Sequence, residues 1–212
     1  MCHLSFLCEI WQKKGSKYHR FKIEELLQLR GISYISTPRA GRKRGGGAAI
    51  TANSELYHLT KLPIHIPNRL ELVWGLLRPK NPTGKVKSII VCCFYSPPKS
   101  KKKTALIDHM TLTIQELRLK YPNAGVILSG DRNDLPIARL LSVDTSLKQI
   151  VQKPTRGPNI LTVVLTDLKK FYLEPEIIPP IEVDNPDAGG VPSDHDGVIV
   201  SPLSNVPEKM FK

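Results

Sequence analysis

A chain of 212 residues, 41% hydrophobic and 24% charged, has the composition of an ordinary globular protein and is long enough to bury a sizeable core. Thirty-one Lys and Arg against nineteen Asp and Glu leave a formal charge of +12, which favours a polyanionic partner, because cationic surface gains affinity by releasing counterions from phosphates. No run approaches the ~18 consecutive apolar residues of a membrane helix, so no membrane partner is expected.

The apolar start, Met1 to Cys8, is short, has no basic n-region and runs into Glu9, Lys13 and Lys14, so it does not read as a secretory signal. Residues 4–10 have strand character and carry Glu9, an acid in an apolar setting that burial would penalise unless it were paired or metal-bound. A basic stretch, Lys13 to Lys22, precedes a helix expected over 21–29, with Ile23, Leu26 and Leu27 on one side. A strand at 32–36 and a second basic stretch, Arg39 to Arg44, which includes Arg42, lead to Gly45, Gly46 and Gly47. A strand at 48–52 follows these glycines, so they lack the helix that would make them a phosphate cradle.

Strands are next expected at 70–77 and 86–94, the latter apolar on both faces, as in a strand sandwiched between two layers. Cys92 and Cys93 lie within it and point to opposite faces. With Cys2 and Cys8 they show no zinc spacing and read as reduced, buried small hydrophobes of an intracellular protein. Tyr95 leaves this strand as the rigid turn Ser96-Pro97-Pro98 begins, and the basic run from Lys99 to Lys103 follows. Ile107, Met110, Ile114 and Leu117 recur at steps of three and four and predict a helix over 105–120. Further strands are expected at 124–128, 161–165 and 198–201. Strands dominate, helices sit between pairs of them and no linker interrupts the pattern, which makes 1–212 a single layered α/β domain.

Four strand ends carry groups capable of chemistry. In Ser129-Gly130-Asp131-Arg132-Asn133 the acid and the amide are two positions apart, and alternate side chains of a strand share a face. Asp131 offers a base or metal ligand and Asn133 a neutral donor to a phosphate oxygen; a polar turn closing a buried strand is the alternative. His195, within Ser193-Asp194-His195-Asp196, stands between carboxylates at the mouth of an apolar strand, where an imidazole suits acid–base work or charge stabilisation; a structural histidine is the alternative. Glu9 suits Mg²⁺, which favours one or two carboxylates plus phosphate oxygens, unless it simply ends its strand in solvent. Tyr95 brings a phenol to the same kind of position, or is a strand-end aromatic with a wet hydroxyl.

Taken in order, Glu in a strand, Arg-Gly-Gly-Gly before a strand, Tyr-Ser-Pro-Pro, Gly-Asp-x-Asn and Ser-Asp-His resemble the endonuclease/exonuclease/phosphatase superfamily. Within it the chain is similar to the apurinic-type endonuclease domains of non-LTR, LINE-like retrotransposons, over about residues 4–202. The resemblance implies a four-layered α/β sandwich, two facing mixed sheets flanked by helices, and Mg²⁺- or Mn²⁺-dependent hydrolysis of a phosphodiester in DNA. Glu9 and Asp194 would serve the metal, Tyr95 and Asn133 the phosphate, Asp131 the attacking water and His195 the scissile group. Arg42, Arg44, Lys101 and Lys102 would meet the nucleic acid; a reverse transcriptase domain in a parent element and a nuclear location would go with that origin.

Two departures from the pattern bear on activity. The family's first strand carries an Asn ligand about thirty residues before the Glu, and here only eight residues precede Glu9, so an N-terminal truncation lacking that strand is expected. Thr162 stands where the family has an Asp that orients and charges the His. Asp167 is five residues further on and faces the opposite side of a strand. Two readings other than a working endonuclease stay open: a non-catalytic basic nucleic-acid-binding relic, and a phosphatase or phosphodiesterase acting on small molecules.

Overall fold

The computed structural model describes residues 3–10, 25–39, 46–82, 86–180 and 195–203. Eleven strands and two helices are bounded within them: β1 (Leu4–Cys8), β2 (Ile32–Thr37), β3 (Ala48–Asn53), β4 (Tyr57–Lys61), β5 (Glu71–Pro79), β6 (Ile89–Tyr95), α1 (Lys103–Lys120), β7 (Gly125–Asp131), α2 (Ala138–Val143), β8 (Lys148–Gln149), β9 (Thr162–Thr166), β10 (Glu176–Ile178) and β11 (Gly197–Ile199).

Period-two burial explains why the strands stack as they do. On β5, Leu72, Trp74 and Leu76 join one apolar cluster while Val73 and Leu77 join another. On β6, Ile90, Cys92 and Phe94 alternate in the same way with Val91 and Cys93, so the adjacent cysteines do point to opposite faces. A strand with no polar face must be covered on both sides. One side is covered by α1, whose Leu106, Ile107, Met110, Ile114 and Leu117 are buried, together with Leu140 of α2. The other side faces a second sheet, which contributes Ile35, Ala48, Ile50 and Ala52 to the shared core.

The larger sheet has six strands in the order β4-β5-β6-β7-β9-β8, and the facing sheet three in the order β1-β3-β2. All pairings are antiparallel except β6 with β7, which are parallel and joined through α1. The molecule is therefore an α/β fold of two facing sheets, helices against the outer face of the larger one. The helix expected over 21–29 is described only at 25–29, where it is helical; Leu26 and Leu29 are 52% and 85% exposed there, so the apolar side expected at Leu26 does not pack inward.

The parallel step from β6 to β7 decides where the chemistry can sit. Tyr95 and Asp131 are direct neighbours in the register, at the C-terminal ends of their strands. Antiparallel β5 and β9 bring their first residues to the same edge, with Glu71 opposite Tyr95 and Thr162 opposite Asp131. Gly130 makes this pairing possible: a Cβ there would stand 1.9 Å from the Phe94 carbonyl oxygen.

Candidate active site

Asp131 is the centre of the cluster at this edge. It is buried, and its carboxylate accepts the backbone N–H of Asn133 (3.0 Å) and the Asn133 side-chain amide (2.8 Å). The same amide donates to the Ser96 carbonyl at 3.0 Å, bridging the ends of β6 and β7. Asn133 takes a left-handed φ of 42°, a conformation Asn tolerates better than most residues and one that turns the amide back onto Asp131. Burial raises the proton affinity of Asp131 above that of a free Asp. Its bonds to Asn133 and the facing His195 oppose this, and the charge on Glu9 adds to it.

His195 comes from the segment that enters β11, and its Nε2 is 3.8 Å from Asp131 Oδ2. The neighbouring Asp196 donates its backbone N–H to the Thr155 carbonyl at 2.9 Å. The buried Thr155 hydroxyl accepts the N–H groups of Leu161 and Thr162, so one residue ties the His195 segment to the start of β9. Thr162 thus stands beside Asp131, as the register requires. Asp167 is at the far end of β9, where it accepts the Val126 N–H (2.8 Å) and pairs with Arg118 (2.9 Å); it is part of the scaffold and remote from His195.

Of the two positions the sequence leaves open for Glu9, the structure shows the strand end rather than the strand interior: β1 stops at Cys8, and Glu9 is exposed with a left-handed φ of 55°. The reason is local. Its N–H bonds to the Gly47 carbonyl at 3.0 Å, which turns the chain out of the sheet and leaves the carboxylate accessible. That carboxylate lies near enough to the Tyr95 hydroxyl to act on its proton affinity. Burial, the nearby Glu9 and the charge of Asp131 push the phenol well above its usual range, with Arg39 opposing.

Glu9, Tyr95, Asp131, Asn133 and His195 therefore converge on one edge of the sheets. Asp194, Arg42 and Arg44 lie outside the described residues. Lys101 and Lys102 are exposed in the turn between Tyr95 and α1. The described cysteines are free thiols: Cys92 and Cys93 are buried as expected and Cys8 is only partly so; Cys2 lies outside the described residues. Cys8 also touches the site, its sulfur accepting the Asp131 N–H at 3.4 Å.

The sequence does not single out Glu71, and it places Arg39 only in a basic stretch expected to meet phosphate, whereas here Arg39 pairs with Glu71. Their side chains are 17% and 7% exposed and pair at 2.8 Å, and the guanidinium lies 5.9 Å from the Tyr95 ring centroid. The signal available was an acid at the start of an apolar strand and an Arg ahead of the glycine run, and neither locates the other across 32 positions.

Among the described residues no group of three His, Cys, Asp or Glu side chains could enclose a metal ion. Glu9 and Asp131 nevertheless offer hard carboxylate oxygens, and the charge on one raises the proton affinity of the other. Mg²⁺ typically takes one or two carboxylates and completes its shell with water and phosphate oxygens, so this donor set fits it.

No protein-family profile matches the chain. No curated protein matches it in sequence. Solved structures do match in fold. The human Nocturnin catalytic domain with bound sulfate superposes with a TM-score of 0.65 at 11% identity, over 95% of this chain and 81% of that one. An endonuclease/exonuclease/phosphatase family protein from Bacteroides thetaiotaomicron gives 0.62 at 14% identity, over 96% and 99% of the two chains. The 3′ phosphatase NExo from Neisseria, bound to a product DNA hairpin, gives 0.61 at 13% identity, over 95% and 89%. The chain has the α/β fold of these proteins.

Proposed function

We propose that this chain is a divalent-metal-dependent phosphodiester hydrolase acting on DNA, of the retrotransposon endonuclease type, working at a reduced rate. The observation that carries the reading is the convergence of Glu9, Tyr95, Asp131, Asn133 and His195 at one sheet edge, with Asp131 and His195 3.8 Å apart. Asp131 and His195 are close enough to act on one scissile phosphate and its attacking water, whereas the Asn133 amide, expected to hold the phosphate, already donates to Asp131 and to the Ser96 carbonyl.

Each residue has a role that its surroundings support. Asp131, buried and with raised proton affinity, is a better base toward water than a solvated Asp. The Asn133 amide keeps the Asp131 carboxylate in one orientation. His195 faces the position where negative charge grows on the phosphoryl oxygens, and the Tyr95 hydroxyl supports the same group. Glu9, exposed and oriented by its backbone bond to Gly47, would hold the metal, with the Asp194 position as a second carboxylate. The metal, when bound, supplies Lewis-acid stabilisation of the phosphoryl oxygens.

Thr162 accounts for the reduced rate. It stands beside Asp131 at the mouth of β9 and adds no charge to His195. In an unrelated acid–base triad, loss of the corresponding charge lowers turnover ~10⁴-fold. The same observation favours a second reading, a basic DNA-binding relic without turnover. Incubating supercoiled plasmid with the protein and Mg²⁺ or Mn²⁺ separates the two. Slow nicking that Asp131→Asn abolishes and Thr162→Asp accelerates supports the hydrolase; DNA binding with no nicking by either the natural chain or Thr162→Asp leaves the relic.

A further inference from the structure

We infer that Glu71, held by Arg39, is the positioning residue for Glu9 and acts through Gly47. This rests on the hydrolase reading for its meaning, though not for its geometry. One Glu71 oxygen accepts Arg39 Nε at 2.8 Å and the other accepts the backbone N–H of Gly47 at 2.7 Å. The carbonyl of that same Gly47 accepts the N–H of Glu9 at 3.0 Å. Glu71, Gly47 and Glu9 thus form a chain of bonds that ends near Tyr95, which is opposite Glu71 in the β5–β6 register, with the Arg39 guanidinium beside both Glu71 and the Tyr95 ring.

This chain of bonds explains three features that are otherwise unconnected. A non-glycine residue at a φ of 55° is disfavoured, and it persists only where its surroundings over-determine it; the bond from Glu9 to Gly47 does this. Gly46 and Gly47 are required by contact. A Cβ on Gly46 would be 2.1 Å from the Glu71 carboxylate, and one on Gly47, at a φ of 89°, would be 2.9 Å from Ile10. A buried ion pair is a weak source of stability in itself, because desolvation offsets its attraction, so its presence at this point needs another reason. Orientation of Glu9 supplies one: ligand carboxylates are commonly held by outer partners whose loss weakens metal binding ~10–100-fold.

The test uses the full chain and two variants. Replacing both members of a buried pair by apolar side chains is often tolerated, so the double change Arg39→Met and Glu71→Met keeps the fold while leaving Gly47 without its carboxylate. Glu71→Gln, which retains one acceptor, should show a smaller effect in the same direction. Three readouts are taken: hydrogen exchange at the Gly47 and Glu9 amides, Mn²⁺ binding by electron paramagnetic resonance, and the thermal midpoint. The expected result is at least tenfold faster exchange at both amides in the double variant, with β6 and β7 still protected, and Mn²⁺ affinity lowered ~10–100-fold. Unchanged exchange at Glu9 in either folded variant overturns the proposal, as does a lower thermal midpoint with Glu9 exchange and Mn²⁺ affinity intact. Failure of the natural chain to bind Mn²⁺ counts against the hydrolase reading instead, and the Glu9 amide still decides the role of Glu71.

Discussion

At the scale of single residues, the site shows a conflict between stability and chemistry at Asp131. Burial makes its charged form unfavourable in the folded protein, and the bonds from Asn133 only partly offset this. A carboxylate whose proton affinity is raised on folding opposes folding at neutral pH, so replacing it by a neutral isostere removes a penalty. Asp131→Asn should therefore lower plasmid nicking ~10²–10⁴-fold, the span usual for a general base, while the thermal midpoint at pH 7 stays level or rises. A fall in both together would mark Asp131 as a structural residue. Gly130, one position earlier, behaves in the opposite way. A methyl group 1.9 Å from the Phe94 carbonyl cannot be relieved by a rotamer change, because the obstacle is the backbone of β6. Gly130→Ala should cost about 3 kcal/mol or more in urea denaturation, at the upper end of overpacking penalties, since β6 and β7 must part at the site. A cost under about 1 kcal/mol would mean the strands part easily there.

Among elements, α1 and β5 are joined by more than apolar packing. The indole N–H of Trp74 on β5 reaches Nε2 of His109 on α1 at 3.4 Å, with the rings edge to face. Burial, together with the nearby His65, lowers the proton affinity of His109, and Glu116 opposes this. A histidine whose pKa falls on folding binds its proton more readily in the unfolded chain. Stability from this group is thus full above about 6.5, the unfolded value, and is lost as pH falls below it. The urea midpoint should drop between pH 7.5 and 5, and His109→Gln should flatten that dependence; an equal drop in the variant would assign it to other groups. This contact also shows where sequence reading reached its limit. The long elements were legible because their burial is periodic: 105–120 for α1, whose observed start is Lys103, and the doubly apolar run of β6. Three strands passed unread, β4, β8 and β10, each five residues or fewer and lying at a sheet edge, where polar residues such as His58, Lys61, Lys148 and Glu176 mask any alternation. The strand-end residues of the site were legible because the parallel pairing of β6 and β7 delivers them together. The pairing of Glu71 with Arg39 was not, because it exists only once two sheets face each other.

For the whole molecule, the charge of +12 matters through where it remains uncompensated. Several cations are already engaged with acids: Arg39 with Glu71, Lys103 with Asp134, Arg118 with Asp144 and Asp167, and Arg139 with Asp108. Lys101 and Lys102 are exposed, have no carboxylate partner among the described residues, and follow the Ser96-Pro97-Pro98 turn at the rim of the site. They also flank the N-terminus of α1, which has no acidic residue in its first turn, so the positive end of the helix adds to their field. A polyanion approaching the site meets this field first. Phosphate contacts release counterions, and each one contributes about 0.9 to the fall of log affinity with log salt on duplex DNA. The double change Lys101→Ala and Lys102→Ala should therefore weaken DNA binding at low salt about equally for all sequences and make the salt slope shallower by about 1.8. Lys153→Ala, at a lysine already 3.5 Å from Glu174, should leave that slope nearly unchanged. The comparison is made by fluorescence anisotropy on one duplex over a salt series. A slope that the Lys101 and Lys102 changes do not alter would remove this rim from the DNA path, and binding that ignores salt altogether would mean that the excess charge serves no polyanion.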